Sequence, residues 1–147
     1  MTPNEVRDAL AAAVPPLSGT LGVAGLEKPV SVFRDSWGIP HIKAGNEADA
    51  YMALGFVHAQ DRLFQMDLNR RRALGRAAEW LGPEAAEADI LVRRLGVESV
   101  SRRDYDALGA PAKAMLQAYA NGVNAFLSSG APLPSEYALL GAQMEPW

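Results

Sequence analysis

Val30-Ser31-Val32-Phe33-Arg34-Asp35-Ser36-Trp37-Gly38-Ile39-Pro40-His41-Ile42-Lys43-Ala44-Gly45-Asn46-Glu47-Ala48-Asp49 is the stretch in which the chain changes period. Up to Ala44 the pattern is that of strands: β-branched residues recur at every second position, so that successive side chains point to opposite faces. Ser36 to Pro40 carries turn chemistry, and Pro40, with no N–H to donate, belongs at a strand start or edge. From Asn46 the apolar or small residues step by three and four: Ala48, Met52, Gly55, Ala59, Leu63, Met66, then Ala73, Ala77 and Leu81. Asn46 is a favourable N-cap, and Glu47 and Asp49 place negative charge where the helix dipole favours it. The spacing predicts a long helix, or two collinear ones, over 47–81. Arg70 interrupts its stripe, and Gly55 and Gly75 each weaken it by about 1 kcal/mol relative to alanine. Leu81-Gly82-Pro83 stops it.

Outward from this stretch the same reading continues. Towards the N-terminus, Leu17 to Val23 alternates apolar and small polar residues, and Gly25 to Pro29 is a turn. Residues 17–45 therefore predict a strand meander of two or three members. Residues 1–16 form a lead-in: a short helix with Val6, Leu10 and Ala13 on one face, stopped by Pro15-Pro16. Towards the C-terminus a short helix over 84–95 carries Ile90, Leu91, Val92 and Leu95, and a polar helix covers 97–108. Pro111 then opens the clearest helix, with the stripe Ala112, Met115, Leu116, Tyr119, Val123, Phe126 and Leu127. A last helical turn covers Tyr137 to Leu140. The fold class is α+β: mainly helical, with a short N-terminal strand meander, residues 17–147 forming one unit.

Composition narrows the function. A chain of 147 residues fits one domain. With 49% hydrophobic and 21% charged residues it has an ordinary globular composition. It contains no cysteine, which excludes disulfides, thiolate catalysis and cysteine zinc sites. No apolar run approaches the length of a membrane span. The net charge of −3 speaks against a nucleic-acid partner. Met1 to Glu5 lacks the positive segment of a secretory signal, so the chain at face value is cytoplasmic. Arginine supplies 11 of the 14 basic residues. Its planar fork suits fixed ion pairs, so the runs Arg70-Arg71-Arg72, Arg93-Arg94 and Arg102-Arg103 read as a salt-bridged helix surface with some members partly buried.

Groups that could carry chemistry are few. Ser36, His41 and Asp35 lie too close in sequence to support a triad on spacing alone. His58 and Asp61, three residues apart, read as a helix-surface or packing pair, since no second metal-ligand pair accompanies them. Asp61-Arg62 reads as an ion-pair element, because acid–base work needs a second carboxylate across a cleft. The glycines at 19, 22 and 25 form no phosphate loop, and Tyr119 with Phe126 reads as core.

Two stretches are more specific than any of these. Val30 to Ile42 is one. The other is Gly55-Phe56-Val57-His58-Ala59-Gln60-Asp61-Arg62-Leu63-Phe64-Gln65-Met66-Asp67, continuing into Arg70-Arg71 and Gly75-Arg76-Ala77-Ala78-Glu79. Together with Ala118-Tyr119-Ala120-Asn121-Gly122-Val123-Asn124-Ala125 and Glu145-Pro146-Trp147, they resemble the start of the penicillin acylase (penicillin amidase) family of N-terminal nucleophile hydrolases. The resemblance covers roughly residues 18–147 in one order.

The resemblance implies a precursor that cleaves itself into an α chain and a larger β chain, these residues being the N-terminal part of the α chain. The nucleophile would be the serine that opens the β chain, with its own α-amino group as base. Oxyanion donors would come from the β chain. The reaction would be hydrolysis of an acyl-amide, with penicillins, acyl-homoserine lactones or lipopeptides as substrate classes. A structural calcium ion often accompanies the family's α–β junction. Family α chains continue past Glu-Pro-Trp into a helix carrying acyl-pocket residues and an acidic calcium ligand. Those positions are not among these residues, so catalytic, cofactor-binding and metal residues are each assigned as none. The matched motifs are expected to be scaffold for an αββα sandwich completed by other polypeptide, and the chain alone is expected to be inactive. The alternatives are a non-catalytic helical interaction domain and a truncated inactive product.

Overall fold

The structure, a computed structural model, describes residues 2–12, 14 and 18–147. Helix α1 (Pro3–Ala12) opens the chain; the Pro15-Pro16 stop and Leu17 lie outside the described residues. Strands β1 (Ser31–Arg34) and β2 (Pro40–Lys43) pair antiparallel, in the register Ser31 to Lys43 through Arg34 to Pro40. Then follow α2 (Glu47–Ala73), α3 (Ala78–Leu81), a 3₁₀ turn (Pro83–Ala85), α4 (Ala86–Leu95), α5 (Val97–Ala107), α6 (Ala110–Ser128) and α7 (Ser135–Leu140). The chain is mostly helical with one small two-stranded sheet among the described residues. No described helix is long and apolar enough to cross a membrane.

The meander is smaller than the sequence predicts. Residues 19–23 join no ladder, so among the described residues the sheet is the β1–β2 hairpin without the third predicted strand. Gly19 and Gly25 both adopt positive φ, and three glycines in seven residues lower strand preference. The predicted helix over 47–81 also divides. Gly75, at φ +63°, is a helix stop: its N–H reaches Arg72 O, and the Arg76 N–H reaches back to Arg71 O at 2.8 Å. That pairing is a Schellman cap. Within α2 a kink falls at Arg62 (φ −144°, ψ 26°), whose Nη1 donates to Asp61 O at 3.0 Å. A side chain bonding into the backbone ladder is a usual cause of a kink.

The core is the crossing of α2 and α6. Phe56, Ala59 and Leu63 of α2 meet Val123 and Phe126 of α6 and Tyr137 of α7. The Phe56 and Phe126 rings meet edge to face, and Phe64 and Trp80 stack beneath an edge-on Tyr137. The crossing is close because it is lined by glycine. A Cβ on Gly55 would stand 2.1 Å from Tyr119 O, and one on Gly122 would stand 1.9 Å from Met52 O. The predicted stripe holds for Met52, Gly55, Ala59 and Leu63, whereas Ala48, Ala73 and Leu81 are exposed.

Asp49 joins the hairpin end of the chain to the helices. Asn46 Oδ1 accepts the Asp49 N–H at 2.7 Å, the expected N-cap. The buried Asp49 carboxylate in turn accepts the N–H groups of Glu27 and Lys28 at 2.8 and 3.0 Å. Asp89 does the same for α3, accepting from Ala77 and Ala78. Both carboxylates therefore satisfy orphan backbone donors at bends, where an unpaired N–H would cost about 1–3 kcal/mol.

Candidate functional site

Four polar clusters contain the residue types that could act chemically. On the hairpin, His41 Nε2 lies 3.1 Å from Asp35 Oδ2. The other Asp35 oxygen accepts the Trp37 and Ile39 N–H groups at 2.9 and 3.0 Å. The His41 hydrogen bond and these backbone donors hold the Asp35 carboxyl below its ordinary range, against a smaller desolvation effect. The structure thus joins His41 to Asp35. The arrangement is a surface turn, with His41 exposed and Asp35 occupied in shaping the loop.

Where the hairpin meets the α2 kink, Arg34 forks onto Asp61 at 2.7 and 2.9 Å and reaches Gln60 at 3.0 Å. Asp61 therefore pairs with Arg34. The expected Asp61–Arg62 ion pair is not formed, because Arg62 turns to a backbone carbonyl. His58 likewise leaves Asp61 and pairs across the helices, its Nδ1 lying 3.0 Å from the Tyr119 hydroxyl. Burial raises the Tyr119 pKa.

The fourth cluster is the largest. Asp67, fully buried, accepts from Arg70 and from the Tyr137 hydroxyl. Burial, followed by the Asp67 charge, pushes the Tyr137 pKa well above its usual value. Arg71 is buried at 3% exposure, lies over the Trp80 ring at 4.0 Å, and pairs with Glu79 and Glu145. Arg76 takes both Glu145 oxygens, at 2.8 and 3.0 Å, and Glu79 as well. Hydrogen bonds from Arg76 hold Glu145 down to about 2 and also lower Glu79, while both carboxylates raise Arg76. Arg70 donates to Pro146 O and Glu145 O at 2.7 and 3.0 Å, beneath the Trp147 ring. Asn124 on α6 both donates to Trp147 O and accepts from Trp147 N, each at 2.8 Å.

The paired, partly buried arginines follow the sequence reading. Their partners do not, because Glu145 is 69 and 74 residues away from Arg76 and Arg71 and no local spacing announces the pairing. The excess of arginine over lysine was the available signal. Among the described residues no three His, Asp or Glu side chains converge, and where Glu79 and Glu145 approach each other, guanidinium groups already fill the space. The residues present do not fit a calcium cage.

In these clusters charged and hydrogen-bonding side chains tie together elements that are distant in sequence. Residues 29–147 match the family described as penicillin amidase. The chain is 76% identical to the penicillin acylase 2 proenzyme of Pseudomonas sp. strain SE83, over 96% of this chain and 18% of that protein. It is 38% identical to the acyl-homoserine lactone acylase QuiP of Pseudomonas aeruginosa, over 95% of this chain and 17% of the relative. A thermostable penicillin G acylase from Alcaligenes faecalis superposes with a TM-score of 0.72 at 36% identity, covering 81% of this chain and 65% of that one. The chain belongs to the penicillin amidase family. It spans about a sixth to a fifth of the length of these curated relatives.

Proposed function

We propose that this chain is the N-terminal α-chain part of an acylase precursor that hydrolyses the amide bond between an acyl group and an amine. The observation that carries this reading is the family match over residues 29–147, a span that includes the hairpin, α2, α6 and residues 145–147. The nucleophile is assigned to a serine that opens a separate β chain, its hydroxyl activated by its own α-amino group. Oxyanion donors lie on the same β chain and stabilise the tetrahedral intermediate. Within this chain catalytic residues are assigned as none; its role is to complete the αββα sandwich on which that serine stands. The substrates are acylated amines of the penicillin, acyl-homoserine lactone or lipopeptide type. Any structural calcium ion is held by the rest of the protein.

The test exchanges these residues for the corresponding segment of the Pseudomonas strain SE83 proenzyme, to which they are 76% identical. The hybrid should cleave itself into two chains, the larger beginning with serine by mass spectrometry, and should release the chromophore from an acyl-anilide. The 147-residue chain alone should release none. Hydrolysis by the isolated chain, or a folded hybrid that neither processes nor turns over, would sink the proposal.

A further inference from the structure

Charge is concentrated around residues 145–147, a segment in neither helix nor strand. Four of its main-chain groups are read by side chains: Glu145 O and Pro146 O by Arg70, and Trp147 N and O by Asn124. The Glu145 carboxylate is held by Arg71 and Arg76. The grip comes from helices α2 and α6 and, through Arg76, from the turn that follows α2, with Asp67 buried beneath to aim Arg70.

Stability alone does not account for this arrangement. Partly exposed ion pairs contribute little. Burying Arg71 is costly, and apolar replacements often hold a segment as well. Arg71 Nε and Trp147 Nε1 are both buried without a hydrogen-bond partner among the described residues. What the cluster does supply is direction, because contacts to carbonyl and amide groups fix the path of the backbone whatever the side chains.

We propose that Arg70, Arg71, Arg76 and Asn124 are positioning residues. They dock residues 145–147 on α2, the turn after it and α6, and so set the path of the polypeptide that follows this region in the longer relatives, and with it the geometry of the acyl-amide site. This inference rests on the acylase reading above.

The hybrid proenzyme tests it, with Arg76→Gln, Arg76→Lys and Asn124→Ala set against Arg102→Gln. Arg102 belongs to an exposed pair with Glu98, and its side-chain hydrogen bonds go to that carboxylate and not to residues 145–147. In Arg76→Gln and Asn124→Ala, hydrogen exchange over residues 142–147 should rise by about tenfold while the α2–α6 core keeps its protection. The KM for the acyl-anilide should rise by about fivefold or more with kcat changed far less, the signature of lost uniform binding at a displaced substrate pocket. Arg76→Lys should recover part of both effects, and Arg102→Gln should match the parent. Unchanged exchange over 142–147, acceleration spread evenly over the whole chain, or a loosened segment with parental KM would each overturn the proposal while leaving the acylase reading intact. An inactive parent hybrid would overturn both.

Discussion

At the scale of single residues, two glycines set the distance between α2 and α6. A methyl group on Gly122 would lie 1.9 Å from Met52 O and 2.9 Å from Phe56 N, both backbone atoms that cannot rotate away. Gly122→Ala therefore forces the helices apart. Overpacking of this kind costs about 1–3 kcal/mol, more than the roughly 1 kcal/mol that alanine gains in helix propensity. Gly130 is the control: its φ of +74° resists a side chain, but nothing stands within 4 Å of the added Cβ. Gly130→Ala should cost only the left-handed backbone, about 1–2 kcal/mol. Because the close approach exceeds ordinary overpacking, the urea midpoint should fall further for Gly122→Ala than for Gly130→Ala. Equal midpoints would mean that the crossing is not held by backbone proximity.

At the scale of elements, what could be read from the sequence was what depends on neighbours in sequence. The Asn46 cap, the β1–β2 run and the stripe of α6 through Val123 and Phe126 all follow from local spacing. What could not be read depends on distant partners or on special backbone. Gly75 looks like a weak point in a long helix until its positive φ and the Arg76 to Arg71 hydrogen bond reveal a stop. Residues 19–23 alternate like a strand but find no partner strand. Asp61 sits beside Arg62 yet pairs with Arg34, because the hairpin folds over the kink. The grip on residues 145–147 has a pH consequence. Glu145 is held down to about 2 by Arg76, and Glu79 is lowered by the same guanidinium. A carboxylate whose folded pKa is depressed stabilises the fold above its unfolded value, about 4.3, and that contribution is lost as pH falls towards the folded one. Thermal midpoints should therefore be level with respect to these groups above about pH 5 and decline below about pH 4. Glu145→Gln should flatten part of that decline. An identical acid slope in the variant would show that Glu145 is not linked to folding.

At the scale of the whole molecule, large apolar side chains stand exposed on the hairpin and on α4. Trp37 is 86% exposed and Phe33 66% on the hairpin, and Leu91 and Leu95 of α4 are 57% and 66% exposed. A lone two-stranded hairpin is marginal in water, and its open edges invite pairing. Large exposed apolar side chains grouped on one element are a surface that association with other polypeptide can bury. Curated relatives about five to six times as long agree with that reading. The chain alone should therefore bind an apolar fluorescent dye and sediment as concentration-dependent oligomers. The double variant Phe33→Thr and Trp37→Ser should lower both signals while leaving helical circular dichroism unchanged, because the hairpin tip lies outside the Phe56–Leu63–Val123–Phe126 core. A compact, dye-silent monomer at all concentrations would show that these faces are stable in water, and would remove the surface argument for a larger assembly.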